Sequence, residues 1–236
     1  METPLARGFS IYISMRSKII NCILFLTLFS VSASELPEGF VYVEEIIPDI
    51  ILDMRYHGSN NFVGENINGY NDSKCILTID AVNKLKPVQN ELRYFGLGLI
   101  IFDAYRPQMA VDHFIRWSKN KDNRMKGEYY PDIAKKDLFA KGYIASRSGH
   151  SRGSTVDLSI VSLKDKTELD MGTNYDFFSI LSWPSSMDIN EDQRSNRMLL
   201  QILMKKNGFI PLKEEWWHFT MEDEPFPDTY FNFPIQ

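Results

Sequence analysis

The chain has 236 residues, 44% of them hydrophobic, with 31 acidic against 26 basic side chains and a formal charge of −5. This length suits a single domain with a sizeable core, and the acidic balance argues against a nucleic-acid or anionic-membrane surface. Cys22 falls in an N-terminal apolar run and only Cys75 lies beyond it, so neither an intramolecular disulfide nor a cysteine-rich structural zinc site is expected.

Residues 1–33 read as an export signal. Arg16 and Lys18 form a positive start, residues 19–31 are mostly apolar, and Val31-Ser32-Ala33 fits the small-residue cleavage rule. The competing reading, a membrane anchor, needs about 20 apolar residues, and this run is shorter and broken by Asn21. The expectation is a signal over 1–33, one domain over 34–236, export to the periplasm, and no stable membrane insertion after cleavage. Met15 is an alternative start, and Cys22 stands badly for a lipoprotein cysteine. Loss of the segment removes Arg7, Arg16, Lys18 and Glu2, which makes the remaining chain more acidic still.

Beyond it, residues 41–46 and 50–55 are β-rich and bounded by Pro48 and Gly58. The Gly/Asn-rich stretch 60–70 reads as a loop. Ala81, Leu85, Val88 and Leu92 recur at helical spacing and predict a helix over 78–95, with Asp80 in its first turn and Gly96 past its end. Gly98-Leu-Ile-Ile-Phe-Asp103 is a buried strand running into Tyr105-Arg106-Pro107. Pro107 suits the first turn of a helix that carries Ala110, Phe114 and Ile115. Residues 119–127 predict a surface loop, 131–140 a short helix and 154–162 a strand. A helix over 191–206 ends at Asn207-Gly208, which suits a left-handed cap, and 215–221 makes the last strand. Strands and helices segregate, so the expected class is α+β, one domain with a mainly antiparallel central sheet flanked by helices.

The chemistry-bearing residues cluster in a few segments. His150 lies in a polar Gly/Ser-rich turn, an unusual place for a core histidine, and Asp157 inside a strand. Side chains alternate along a strand, so Thr155, Asp157 and Ser159 share one face while Val156 and Leu158 take the other. A carboxylate there is costly unless it is paired or bound to metal. Glu215-Trp-Trp-His218 adds a second imidazole and a spare carboxylate. Two imidazoles and a carboxylate, an open fourth position and a nearby base are the inventory of a catalytic zinc site.

Glu215 and His218 are three apart, so on a regular strand they would face opposite ways. Glu215 must then sit in the turn before the strand, or a bulge must intervene. Glu214 is the rival base. Trp216 and Trp217 read as core, with a dry wall beside the metal as the sharper alternative. Asp103-Ala-Tyr105-Arg106-Pro107 ends a buried strand. A guanidinium there can stabilise the oxyanion formed when water attacks an amide, with Asp103 holding it by a charged hydrogen bond. The plain alternative is a structural ion pair.

These segments together resemble the zinc D-alanyl-D-alanine dipeptidases, the group that contains the vancomycin-resistance dipeptidases. The resemblance is carried by Asn61-Phe-Val-Gly with Gly69-Tyr70, Asp103-Ala-Tyr-Arg106-Pro, Lys141-Gly-Tyr-Ile-Ala-Ser and Ser148-Gly-His150-Ser-Arg-Gly-Ser-Thr-Val-Asp157. Met171-Gly-Thr-Asn-Tyr-Asp176-Phe, Glu215-Trp-Trp-His218-Phe and Tyr230-Phe-Asn-Phe-Pro complete it. It spans nearly all of the chain beyond the signal, although residues 177–190 depart from the family pattern. The spacing S-x-H-x6-D alone is shared by a wider clan of D,D-carboxypeptidases and a non-catalytic Hedgehog-type signalling domain.

The resemblance implies a fold of the Hedgehog/D,D-peptidase type and one zinc ion per chain on His150, Asp157 and His218. It implies Glu215 as base, Arg106 as oxyanion stabiliser oriented by Asp103, and Asp176 as the partner of the substrate ammonium. Tyr70 and Ser148 are implied to line the pocket. The implied substrate is the free dipeptide D-Ala-D-Ala, and no nucleic-acid partner is expected. The alternatives are a D,D-carboxypeptidase acting on longer cell-wall peptides and a zinc-stabilised binding module without activity.

Overall fold

In the computed structural model, residues 36–236 are described; the signal expected over 1–33 lies outside them. The chain from β1 (Phe40–Tyr42) passes through a single helical turn, α1 (Val43–Ile46), to the short β2 (Ile51–Leu52). It continues through β3 (Ile76–Thr78), α2 (Ile79–Arg93), β4 (Leu97–Asp103), α3 (Gln108–Lys119) and the short α4 (Lys126–Tyr129). The second half supplies β5 (Thr155–Ser162), α5 (Glu191–Lys206), β6 (Phe209–Pro211) and β7 (His218–Met221). Five strands form one sheet in the order β2-β4-β5-β7-β6, and β1 and β3 form a separate antiparallel pair. Only β2–β4 is parallel in the large sheet, so the α+β class with a mainly antiparallel sheet holds. Among the described residues, no helix is long and apolar enough to cross a membrane.

Both long strands are almost wholly buried; β4 reads as an apolar run, whereas β5 alternates polar with apolar residues. Leu99, Ile101 and Phe102 of β4 and Val156, Leu158 and Ile160 of β5 are all fully buried. Helix α2 buries Ala81, Val82, Leu85, Val88 and Leu92 on one side. The Thr78 hydroxyl caps its first turn by accepting from the Ala81 amide. Helix α5 keeps its expected bounds, opened by the reciprocal bonds of Asn190 and Gln193 and closed at Gly208 with φ +78°.

Several local expectations yield to tertiary packing. Residues 43–46 turn helically instead of extending, which stacks Val43 and Ile47, four apart, into the core. Residues 131–140 hold only a 3₁₀ turn at Lys135–Asp137, with the Lys135 ammonium tied to Asn120 Oδ1 and the Asp122 carbonyl. The loop expected to run to 127 already turns helical at Lys126. The last strand starts at His218, because Trp216 and Trp217 form a turn.

Candidate active site

Sheet register puts three of the polar residues in one row. Asp103 on β4 pairs with Asp157 on β5, and Asp157 pairs with His218 on β7, so their side chains share a face as lateral neighbours. Asp103 joins that row only through a bulge. Ile101 faces Leu158 while Asp103 faces Asp157, so Phe102 is an extra residue. In an unbroken ladder Asp103 would oppose Val156 and point to the other face. Two carboxylates side by side repel, and Arg106 answers both: its Nη2 lies 2.7 Å from Asp103 Oδ2 and 3.5 Å from Asp157 Oδ2.

His150 arrives from the 3₁₀ turn Gly149–Arg152 just before β5. The Ser148 hydroxyl caps this turn by accepting from the His150 amide at 3.3 Å, and Gly153 closes it at φ +83°. A side chain at Gly153 would meet Phe40 Cε1 at 2.2 Å, so the turn needs glycine for both backbone and space. The His150 Nδ1 lies 2.7 Å from the Ala104 carbonyl. A carbonyl can only accept, so Nδ1 is the donor there, and as a metal ligand His150 would offer the lone pair of Nε2.

That lone pair faces Asp157 Oδ2 at 3.3 Å and His218 Nδ1 at 3.3 Å. His218 Nδ1 lies 3.0 Å from Asp157 Oδ1, yet that oxygen is buried without a hydrogen-bond partner. One ligand atom from each of His150, Asp157 and His218 lies within 4.8 Å of the others. Burial lowers the pKa of His218 and so favours neutral imidazole. Burial works to raise Asp157, but the two imidazoles outweigh it and hold the carboxyl well below its usual range. An anion and two imidazoles converging in a dry site are what a divalent cation requires, and an N/N/O set without sulfur fits zinc.

Glu215 stands in the turn before β7, one of the two placements its spacing from His218 allowed. It lies 3.6 Å from His218 Nδ1 and lines the same cleft. Glu214, the rival base, is not among the lining residues. Burial and then the nearby Asp157 raise the Glu215 pKa well above a normal carboxyl. Asp176 also lines the cleft, in the left-handed region at φ +59°, a conformation that Asp tolerates better than most residues. Burial and then Asp157 push its pKa up to about 8.

The cleft holds about 200 Å³, less than the roughly 300–1,000 Å³ of sites for drug-sized ligands. Arg106 and Ser148 line it, with Phe62, Phe114, Tyr143 and Phe178 among its apolar walls. Tyr70, expected at the pocket wall, is instead fully buried behind it. Its hydroxyl donates to Asp103 Oδ1 at 2.6 Å, so it reaches the cleft only through Asp103 and Arg106. Trp216 and Trp217 are both buried, as core packing requires. The sequence reading missed two phenols. Tyr56 donates to Asp176 Oδ2 at 2.8 Å, and the Tyr175 hydroxyl lies 3.1 Å from Asp157 Oδ2. Tyr175 directly precedes Asp176, a signal that was there to be used; Tyr56, in a turn after β2, carries none.

Comparison with known proteins gives a consistent picture. The family model described as D-ala-D-ala dipeptidase matches residues 37–236. The chain is 39% identical over 198 residues to a D-alanyl-D-alanine dipeptidase of Enterococcus faecalis, covering 84% of this chain and 98% of that protein. It is 39% identical over 197 residues to one of Streptomyces coelicolor, covering 83% and 98%. To one of Enterococcus faecium it is 34% identical over 199 residues, covering 84% and 98%.

Proposed function

Because the chain belongs to the D-Ala-D-Ala dipeptidase family, we propose that it hydrolyses D-alanyl-D-alanine to two molecules of D-alanine at one zinc ion held by His150, Asp157 and His218. The observation that carries this reading is the presence, in one small cleft, of the N/N/O ligand set, a buried base and a second buried carboxylate. Zinc, when bound, acts as a Lewis acid and makes water nucleophilic near neutral pH.

The chain's own groups do the rest. Glu215, beside His218, takes a proton from the attacking water as its oxygen bonds to the amide carbon. The same carboxyl hands that proton to the nitrogen as the C–N bond breaks. Its raised pKa suits this exchange, since a base must also serve as an acid. Arg106 stabilises the oxyanion that develops on the carbonyl oxygen. Its guanidinium is oriented by Asp103, which is itself gripped by Tyr70. Ser148 fixes the turn that presents His150.

Asp176 meets the substrate ammonium. A buried carboxylate whose pKa is pushed up needs a cation to stay ionised, and the free amine of a dipeptide is that cation. An N-terminally extended peptide offers none, which favours a dipeptidase over a carboxypeptidase. A structural metal module needs neither Glu215 nor Arg106 beside its ligands. The pattern of residues 1–33 supports export, so the site of action is the periplasm; cell fractionation finding the protein only in the cytoplasm would reject that. The test of the activity is D-alanine release from D-Ala-D-Ala, lost with a chelator and restored by zinc. A folded, zinc-replete protein that leaves the dipeptide intact would overturn the assignment.

A further inference from the structure

The polar groups around the ligand set run on past it. Asp157 Oδ2 lies 3.1 Å from the Tyr175 hydroxyl, that hydroxyl lies 3.2 Å from the hydroxyl of Tyr56, and Tyr56 donates to Asp176 Oδ2 at 2.8 Å. All four side chains are buried. Aromatic rings hold both phenols in place: Tyr175 stacks on Phe102 and meets Trp217 edge-on, and Tyr56 packs against Phe62, Tyr70 and Phe114. The result is a line of four oxygens, a carboxylate at each end and two hydroxyls between.

That line has three links and only two hydroxyl protons. With both carboxylates ionised, each phenol donates outward and the central contact carries no proton. When the demand at Asp176 falls, because an ammonium satisfies it or its charge is removed, the Tyr56 proton can turn to the Tyr175 oxygen. An oxygen that accepts a hydrogen bond donates its own proton more strongly, so Tyr175 then grips Asp157 harder. The Tyr175 bond also engages Oδ2 and leaves Oδ1, the oxygen without a hydrogen-bond partner, for the metal.

We propose that Tyr175 is a positioning residue that, through Tyr56, couples the amine-recognising carboxylate of Asp176 to the metal-ligating carboxylate of Asp157. The proposal rests on the assignment of Asp157 as a ligand and Asp176 as the amine partner. It makes the two ends of the substrate site share one hydrogen-bond network. Filling the amine pocket then alters how firmly a metal ligand is held, with no movement of the backbone.

The test is zinc affinity, measured at about pH 9 so that the Asp176 carboxyl is ionised without substrate, by competition with a chromophoric chelator, for the parent, Tyr175→Phe, Asp176→Asn and the double variant. Phenylalanine keeps the ring packing and removes only the hydroxyl. Tyr175→Phe should weaken zinc binding by about 10- to 100-fold, as loss of a ligand's hydrogen-bond partner does. The factor by which Asp176→Asn changes affinity should differ at least about threefold between the two backgrounds, more than the roughly twofold error of independent sites. Equal factors would overturn the coupling, because a merely structural Tyr175 weakens zinc by the same amount whatever stands at 176.

Tyr56→Phe cuts the same line without touching a ligand and should also abolish the dependence on residue 176. Survival of that dependence would overturn the proposal, and this variant decides the matter if Tyr175→Phe does not fold. A parent protein that binds no zinc would overturn the coupling and the metal assignment together. Intact coupling in a protein that leaves D-Ala-D-Ala uncut would support the coupling and sink the substrate reading alone.

Discussion

Capping the substrate amine is the perturbation that separates the two peptidase readings most sharply. Asp176 is 4% exposed, and Tyr56 is its hydrogen-bond partner in the cleft wall. An acetyl group on the dipeptide removes the positive charge and leaves this buried carboxylate to be neutralised by protonation or to stay unpaired. Breaking a buried ion pair on one side costs about 3–5 kcal/mol. At ~1.36 kcal/mol per decade, that is a loss of roughly 10²- to 10⁴-fold in kcat/KM. The cleft, at about 200 Å³, leaves little room to seat the extra atoms elsewhere. The assay is D-alanine release from D-Ala-D-Ala and from N-acetyl-D-Ala-D-Ala by the zinc-loaded enzyme. Asp176→Asn should slow cleavage of the free dipeptide and shrink the ratio between the two substrates. If the parent cuts the capped peptide as fast as the free one, the role given to Asp176 is wrong and the carboxypeptidase reading replaces it.

Glu215→Ala should abolish turnover with zinc still bound, whereas His218→Ala should lose the metal; equal metal loss in both would make Glu215 a ligand. Arg106→Ala should lower kcat by about 10²–10³ with a smaller effect on KM, as for other oxyanion donors, and a pure KM effect would assign it to docking. In the metal-free protein, Asp176 should contribute a loss of stability as pH rises from about 4 to 8. An unfolded Asp releases its proton near 3.9, while buried Asp176 keeps its proton up to about 8. Between those values the unfolded chain binds fewer protons, so this one group lowers stability by up to about 1.4 kcal/mol per pH unit. Thermal melts at about pH 5 and about pH 8 should show a smaller drop for Asp176→Asn than for the parent; identical drops would refute the burial argument.

Local chemistry made part of this protein legible from its sequence. A polar turn is an unusual place for a core histidine and a carboxylate inside a strand is costly unless paired or metal-bound, so His150 and Asp157 stood out on their own. The spacing of Glu215 and His218 required either that Glu215 precede the strand or that a bulge intervene, and Glu215 precedes it. Helices α2 and α5 followed from apolar spacing and capping residues. What the sequence left open depended on pairing register, which no local rule sets. The bulge at Phe102 turns Asp103 onto the face of Asp157 and His218; without it, Asp103 would point into the opposite layer. Register and the turn before β7 also place Glu215 rather than Glu214 in the cleft. Burial takes Tyr70 off the cleft wall and makes it a clamp on Asp103. Tyr56 and Tyr175 stand 119 residues apart, so the line of hydroxyls they form exists only once the core has packed their rings side by side.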